Sequence, residues 1–264
     1  MSKLPVLLSI PHGGTQRPPE LDNLLSITDA DLFDDSDPFV IEIYDLGEKV
    51  ESVVKTNIAR AFVDLNRSLK DLPPQNPDGL IKNSTCYQKP IYKKGREPDE
   101  SLRKVLIEMY YKPYHRSIQK KIHELDLQLC LDCHSMAPVA PNISPDGREK
   151  KRPLFCLSNQ DGKTSTNQMI ELLASCISES FDIEKSKISL NDPFHGGYIT
   201  RTYGNNPYPW IQVEMNRDLY LGESWFDRNS LSIDSSRLRQ LNMQFENCLN
   251  LLFSKINRTG IESQ

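Results

Sequence analysis

The sequence predicts an α/β fold: a mainly parallel or mixed twisted sheet flanked by helices on both faces. Three observations predict it. Apolar runs of strand length alternate along the chain with stretches whose apolar residues recur at helical spacing. The run L-Q-L-C-L-D-C-H-S at 127–135 alternates two kinds of residue, as a strand with two different faces does. Histidines also stand where two such runs stop, which in open α/β sheets is where ligands bind.

Leu4 to Ile10 reads as a buried strand that breaks at Pro11-His12-Gly13-Gly14, whose glycines permit tight turning and close approach of a ligand. Asp29, Asp31, Asp34, Asp35 and Asp37 precede an amphipathic run from Phe39 to Val53, and at least four of these five are expected to cap a helix and oppose its dipole. Val53 to Ala59 and Ala61 to Leu65 read as strands, with Asp64 and Asn66 on one face of the second and Arg67 at its end. Residues 68–98, with five prolines, form a long irregular, lid-like insertion in a chain (1–264) read as one domain. Asp99 caps a helix carrying Leu102, Leu106, Ile118 and Ile122, which Pro113 should kink; His115 is expected to pack and His123 to be solvated.

The strand at 127–135 stops before Pro138 and Pro141 and sends Asp132 and His134 to the same side. Pro153 to Leu157 is the next expected strand, and Ser165 with Gln168 forms a capping box for a helix through Phe181. Within D-P-F-H-G-G-Y-I-T-R-T-Y-G at 192–204, Arg201 and Tyr203 are expected on one side of a strand or loop. Trp210 to Met215 alternates, with Gln212 and Glu214 opposite Ile211, Val213 and Met215. A carboxylate in so apolar a strand is costly unless paired or employed. Ser235 to Ile256 carries an ordinary core-facing helical stripe.

Composition narrows the function. At 264 residues the chain is long enough for one large domain. A net charge of −4 with scattered basic residues argues against a nucleic-acid surface. No run approaches the roughly 20 apolar residues of a membrane span, and the opening apolar run is short for a signal peptide. The six cysteines are scattered, and the single C-x-x-C, Cys130 and Cys133, would point to opposite faces of a strand. They are expected to be reduced and mostly buried, in a cytoplasmic protein.

The expected strand tips offer His12, His134 and Glu214, with aspartates and arginines nearby. A catalytic zinc site of the His/His/carboxylate kind keeps a fourth position for water, lowers that water's pKa to about 7, and works beside a carboxylate that takes the proton. The candidates come from segments far apart, so the spacing by itself leaves the ligand set open.

The chain resembles the N-formylglutamate amidohydrolases, which remove formate from N-formyl-L-glutamate late in histidine breakdown. The resemblance rests on P-H-G-G at 11–14, V-D-L-N-R at 63–67, K-P-Y-H-R at 112–116, L-D-C-H-S at 131–135, F-H-G-G-Y-I-T-R-T-Y-G at 194–204 and I-Q-V-E at 211–214. That family is similar in fold to zinc carboxypeptidases and aspartoacylases, a phosphorylase/hydrolase-like architecture. The resemblance implies one zinc held by His12, His134 and an acid, Asp37 by preference and Asp35 second. It makes Glu214 the general base, and Asn66 with Arg67 a clamp for a substrate carboxylate. Arg201, Tyr203 and Gly197 complete the expected substrate contacts. Two departures stand out: Pro38 and Phe39 follow the acid where an aromatic-histidine pair is expected in some members, and His195 stands where a lysine is common. The expected partner is a small N-acyl amino acid, with no nucleic acid or membrane. The alternatives are an amidohydrolase or carboxypeptidase-like enzyme on another N-acyl amino acid or peptide, and a non-catalytic metal- or acidic-metabolite-binding protein.

Overall fold

The computed structural model describes residues 3–141 and 149–259. In chain order these form β1 (Leu4–Ile10), α1 (Asp29–Asp35), α2 (Val40–Tyr44), β2 (Val50–Lys55), α3 (Glu100–Leu106), α4 (Lys112–Glu124), β3 (Leu129–Met136), β4 (Phe155–Ser158), α5 (Asn167–Phe181), β5 (Ile188–Leu190), α6 (Tyr198–Tyr203), β6 (Trp210–Asn216) and α7 (Ser235–Thr259). These six strands make one sheet in the order β2-β1-β3-β6-β4-β5, and Phe226–Asp227 with Ser232–Ile233 forms a separate two-stranded ribbon. Strands β2, β1, β3 and β6 run parallel, whereas β4 is antiparallel to β6 and parallel to β5. The sheet is therefore mixed, and its four parallel strands all end on the same edge.

The alternation in the strand runs divides two cores. Val6, Leu8, Ile10, Leu129, Leu131, Cys133, Ile211 and Val213 pack beneath α2, α5 and α7. Leu7, Cys130 and Trp210, on the other face, pack against α4 and the segments around Phe62, Ile81 and Tyr92. Every residue of β3 is buried, as expected where helices or packed loops cover both faces. The sulfur atoms follow the same logic: Cys130, Cys133, Cys156, Cys176 and Cys248 are buried, Cys86 partly so, and all are free thiols.

Several local expectations are corrected. The run 61–65 is buried but not a strand; Phe62 N–H donates to Ala59 O in a turn and Asp64 N–H donates to Leu80 O. A short apolar run buried between loops has the same composition as a core strand. The amphipathic stretch from Phe39 yields only the short α2, because the chain turns at Gly47 (φ +55°) and Val50–Lys55 pairs with β1. Arg201 and Tyr203 lie on helix α6 rather than on a strand or loop. The cap of α5 is Thr166, one residue later than expected, accepting from Met169 N–H. Pro113 lies inside a helix that runs unbroken from α3 through the π-turn Ile107–Tyr111 into α4, and the disturbance expected of it appears as that π-turn. Residues 68–98 contain no helix or named strand, yet Leu80, Ile81, Lys82, Ile91 and Tyr92 within them are buried.

Candidate active site

Parallel register brings the expected tips together. His134 on β3 stands beside Glu214 on β6, Asp132 beside Gln212, and Ser9 of β1 beside Asp132. His12 follows β1 by two residues, and its carbonyl accepts from Asp37 N–H at 3.1 Å, which draws the α1–α2 turn against the strand tip. Gly13 and Gly14 permit this: a Cβ on Gly13 would stand 2.6 Å from Ile41 Cγ1, and one on Gly14 2.4 Å from the Asn57 carbonyl carbon.

Three donor atoms converge at the centre. His134 Nδ1 lies 3.1 Å from His12 Nδ1 and 3.2 Å from Asp37 Oδ2, and His12 Nδ1 is 3.6 Å from that oxygen. The outer nitrogens face other partners: His12 Nε2 lies 2.7 Å from Asp64 Oδ1, and His134 Nε2 lies 3.2 Å from Asp132 Oδ2 and 3.1 Å from Asn66 Nδ2. The inner nitrogens, His12 Nδ1 and His134 Nδ1, and the Asp37 carboxylate oxygen therefore face one another. Such a cluster is held together by positive charge, either a proton on His134 or a metal cation. Ligands placed about 2.0–2.1 Å from a tetrahedral zinc are about 3.3 Å apart, close to the separations found here. The carboxylate–histidine pairs are the usual outer support of metal-bound imidazoles. Among the described residues, His12, Asp37 and His134 are the set able to hold a metal ion, and by chemistry and spacing they fit a divalent cation of the zinc kind.

The surroundings keep the set charged and fixed. Asp37 is fully enclosed, and burial alone would raise its pKa; bonding to His12 and His134 and the charge of Arg217 hold it well below the usual carboxylate range. Arg217 Nη2–H donates to its Oδ1 at 3.1 Å, and Ser135 N–H to its Oδ2 at 3.1 Å. Asp64 is likewise held low against burial by His12, Arg60 and Arg67. Burial opposes charge on His134, but Asp132 and Asp37 outweigh it and push its pKa well up. That same field attracts a cation.

Glu214 is 7% exposed, and burial lifts its pKa to about 7 against the pull of His134. Gln212 Nε2–H donates to Glu214 Oε1 at 2.8 Å, and Gln212 is itself oriented by Gly197 N–H, which donates to its Oε1. Gly197 also packs under Asn66, whose Nδ2 would lie 2.2 Å from an added Cβ. Asn66 accepts Ile199 N–H on Oδ1 (2.8 Å), and its Nδ2 lies 3.4 Å from Asp132 Oδ2 and 3.1 Å from His134 Nε2. In this structure Asn66 and Gly197 support the histidine and the glutamine.

Around these groups opens a cleft of about 510 Å³, lined by His12, Asp37, His134, Glu214, Arg67, Arg152, Arg201, His195, Tyr87 and Tyr198 among others. Arg67 and Arg201 thus reach the cleft, as the sequence led us to expect. Tyr203 does not: it is buried at the end of α6 and its hydroxyl donates to His115 Nδ1 at 2.9 Å. Of the two aspartates, Asp37 enters the donor set, whereas Asp35 pairs with the buried Lys82 at 2.9 Å. Asp29 and Asp31 do lie in the first turn of α1, although its cap is Thr28. Sequence reasoning assigned no role to Arg152, which crosses the Phe194 ring at 4.8 Å, or to Arg217 and Arg60 behind Asp37. The only signal for Arg217 was its place just past the end of β6.

Comparison with known proteins identifies relatives of the chain and of its fold. The N-formylglutamate deformylase of Pseudomonas aeruginosa is 29% identical over 230 residues, covering 84% of each chain. That of Pseudomonas putida is 29% identical over 231 residues, with the same coverage. The crystal structure of N-formylglutamate amidohydrolase from Ralstonia eutropha JMP134 shares the fold at a TM-score of 0.76, with 20% identity over 99% of this chain and 96% of that one. The model of the N-formylglutamate amidohydrolases matches from residue 4 to residue 221, from β1 to just past the β6 tip that carries Glu214, and the chain belongs to that family.

Proposed function

We propose that this protein hydrolyses the formyl amide of N-formyl-L-glutamate to formate and L-glutamate, with a divalent metal, zinc by its donor set, as cofactor. The observation that carries the reading is the meeting of His12 Nδ1, His134 Nδ1 and Asp37 Oδ2 beside a buried Glu214 in one cleft. A metal on those donors supplies Lewis acidity toward the formyl oxygen and acidity to water. His12, Asp37 and His134 would hold it, with Asp64 and Asp132 orienting the two rings.

Glu214 acts as general base. Gln212 ties one of its oxygens, and the carboxylate accepts a proton from the attacking water and returns it to the amide nitrogen as the C–N bond breaks. Burial keeps its pKa close to neutrality, where one group serves both directions of transfer. Arg67 and Arg201 receive the substrate's two carboxylates, since a guanidinium binds carboxylate bidentately. Tyr198 and His195 contribute further walls of the cleft. The cleft volume, about 510 Å³, also accommodates larger N-acyl amino acids, which is the second reading. We take the protein as a single amidohydrolase domain in which segment 68–98 forms one wall of the cleft.

The test is formate release from N-formyl-L-glutamate by metal-loaded protein, with and without a chelator, against a panel of N-formyl and N-acetyl amino acids. Chelator-sensitive turnover highest on N-formylglutamate is expected. Turnover that prefers another acyl group supports the second reading, and none on any member of the panel removes both.

A further inference from the structure

Lys82 is 0% exposed, in a segment that has neither helix nor named strand. Its ammonium lies 3.1 and 2.9 Å from the two oxygens of Asp35, at the end of α1, and 2.6 Å from Asp78 Oδ1. Burial disfavours its charge, but Asp35 and Asp78 outweigh that and hold it protonated. Asp78 in turn faces the cleft arginine: its Oδ2 accepts from Arg67 Nη2 at 3.2 Å and its carbonyl from Arg67 Nε at 3.1 Å. Asp35, Lys82, Asp78 and Arg67 thus form a line of alternating charge running from the core to the cleft.

Such an arrangement exceeds what holding a loop requires. The neighbouring Leu80, Ile81, Ile91 and Tyr92 already bury the segment, and a buried ion pair is a weak source of stability. The line does two things to Arg67. It fixes Asp78, so that Nε and Nη2 of the guanidinium are spent on one side; among the described residues nothing bonds Nη1. It also divides the Asp78 charge between two cations, so that the carboxylate with the shortest contact to Arg67 offsets less of its charge, while Asp71 and Asp64 stand further off at 3.7 and 3.9 Å. Losing Lys82 removes one positive charge from a cluster in which Asp78, Asp71 and Asp64 lie 3.2, 3.7 and 3.9 Å from Arg67, and the more negative field repels an anionic substrate.

We infer that Lys82 is a positioning residue for carboxylate recognition, acting through Asp78 to orient Arg67 and keep its positive charge available to the substrate. This rests on the proposed function for the identity of the substrate, and the experiment separates the two. The test is a double-mutant cycle on metal-loaded protein, with KM and kcat for N-formylglutamate and the calorimetric Kd of L-glutamate as readouts. Because Lys82→Met strands two acids, the paired variant Asp35→Asn/Lys82→Met, which removes one charge of each sign, is made beside it.

Both variants should raise KM and the glutamate Kd about tenfold with kcat within about threefold, the split expected when ground-state binding alone is lost. Introduced into Arg67→Ala protein, the same changes should add less than about twofold, because the group they act through is gone. A purely structural lysine would weaken both backgrounds equally, and that result overturns the inference, as does an unchanged KM and Kd in both variants. If the wild-type protein binds glutamate but turns over no N-formylglutamate, the proposed function falls while the calorimetric cycle still decides Lys82. If it binds no glutamate, the inference falls.

Discussion

Each residue at the centre is fixed by a partner one step further out, and that makes the individual roles separable. Asp64 lies 2.7 Å from the back of His12, outside the donor set, and also accepts from Arg60 Nη2 at 3.0 Å and from Asn66 N–H at 2.9 Å. Asp64→Asn should leave the fold intact and weaken metal binding by about 10–100-fold, the usual loss when an outer partner of a ligand histidine is removed; competition with a metallochromic chelator measures it. Glu214→Gln keeps the size of the side chain and cannot accept a proton. It should retain metal yet lose about 10²–10⁴ in kcat, and near-normal turnover in the loaded variant would rule out the base. The pH dependence follows in sign. Glu214 is active as the carboxylate, so kcat/KM should rise with pH through the Glu214 pKa, about 7 in the protein alone. A cation on His12, Asp37 and His134 favours the carboxylate further, placing the limb below 7 in the loaded enzyme.

Elements hold these residues through a few cross-links. The α3–α4 arm secures the segment around Asn66: Tyr111 Oη–H donates to Arg67 O at 2.8 Å, and His115 Nε2–H donates to Leu65 O at 3.0 Å while Nδ1 takes the Tyr203 hydroxyl. Burial lowers the His115 pKa from 6.5 to about 4. Above pH 6.5 neither the folded nor the unfolded state binds this proton, and the stability is whole. Between 6.5 and 4 the unfolded chain takes up a proton that the folded one refuses, so stability falls with pH, by about 3 kcal/mol in full. His115→Gln should flatten that part of the profile, read from urea midpoints at pH 7.5 and 4.5 for both proteins. The 68–98 segment makes a complementary case. Its buried residues 80–82 and 91–92 anchor it, leaving 87–90 and 93–97 exposed, and Tyr87 borders the cleft. Chymotrypsin should cut after Tyr87 and be slowed by glutamate, whereas tryptic cutting at 93–96 should not change. Equal protection at both places would count against local closure over the site.

For the whole molecule, the donor set joins three segments: the β1 tip, the α1–α2 turn and the β3 tip. A metal bound there favours the folded state by mass action, about 2.7 kcal/mol at a free concentration 100 times Kd. For a domain of this size that corresponds to roughly 5–10 °C in Tm. Chelation should lower Tm by that amount in the wild-type protein, and His134→Ala should start at the lower value and not respond. Elemental analysis should find about one metal per chain in the wild type. No described helix is long and apolar enough to cross a membrane.

Much of this was legible in the residues because strand periodicity and strand termination are local properties. Alternation in L-Q-L-C-L-D-C-H-S and W-I-Q-V-E-M put His134 and Glu214 on tips, and parallel pairing then made them neighbours. The family resemblance was legible for the same reason, since its motifs are those tips and turns. What only the tertiary structure decided is whatever depends on distance between remote segments. Asp37 rather than Asp35 meets the histidines because a backbone hydrogen bond to His12 O turns it inward while Lys82 captures its neighbour. Tyr203 points away from the cleft because a helix, unlike a strand, sends residues two apart to different sides. Ala61, Phe62, Val63 and Leu65 are apolar because they are buried, and burial without sheet pairing leaves no mark in composition. The Lys82–Asp78–Arg67 line was invisible for an electrostatic reason: a lysine in a proline-rich loop reads as solvated until the fold surrounds it with two carboxylates and removes the water.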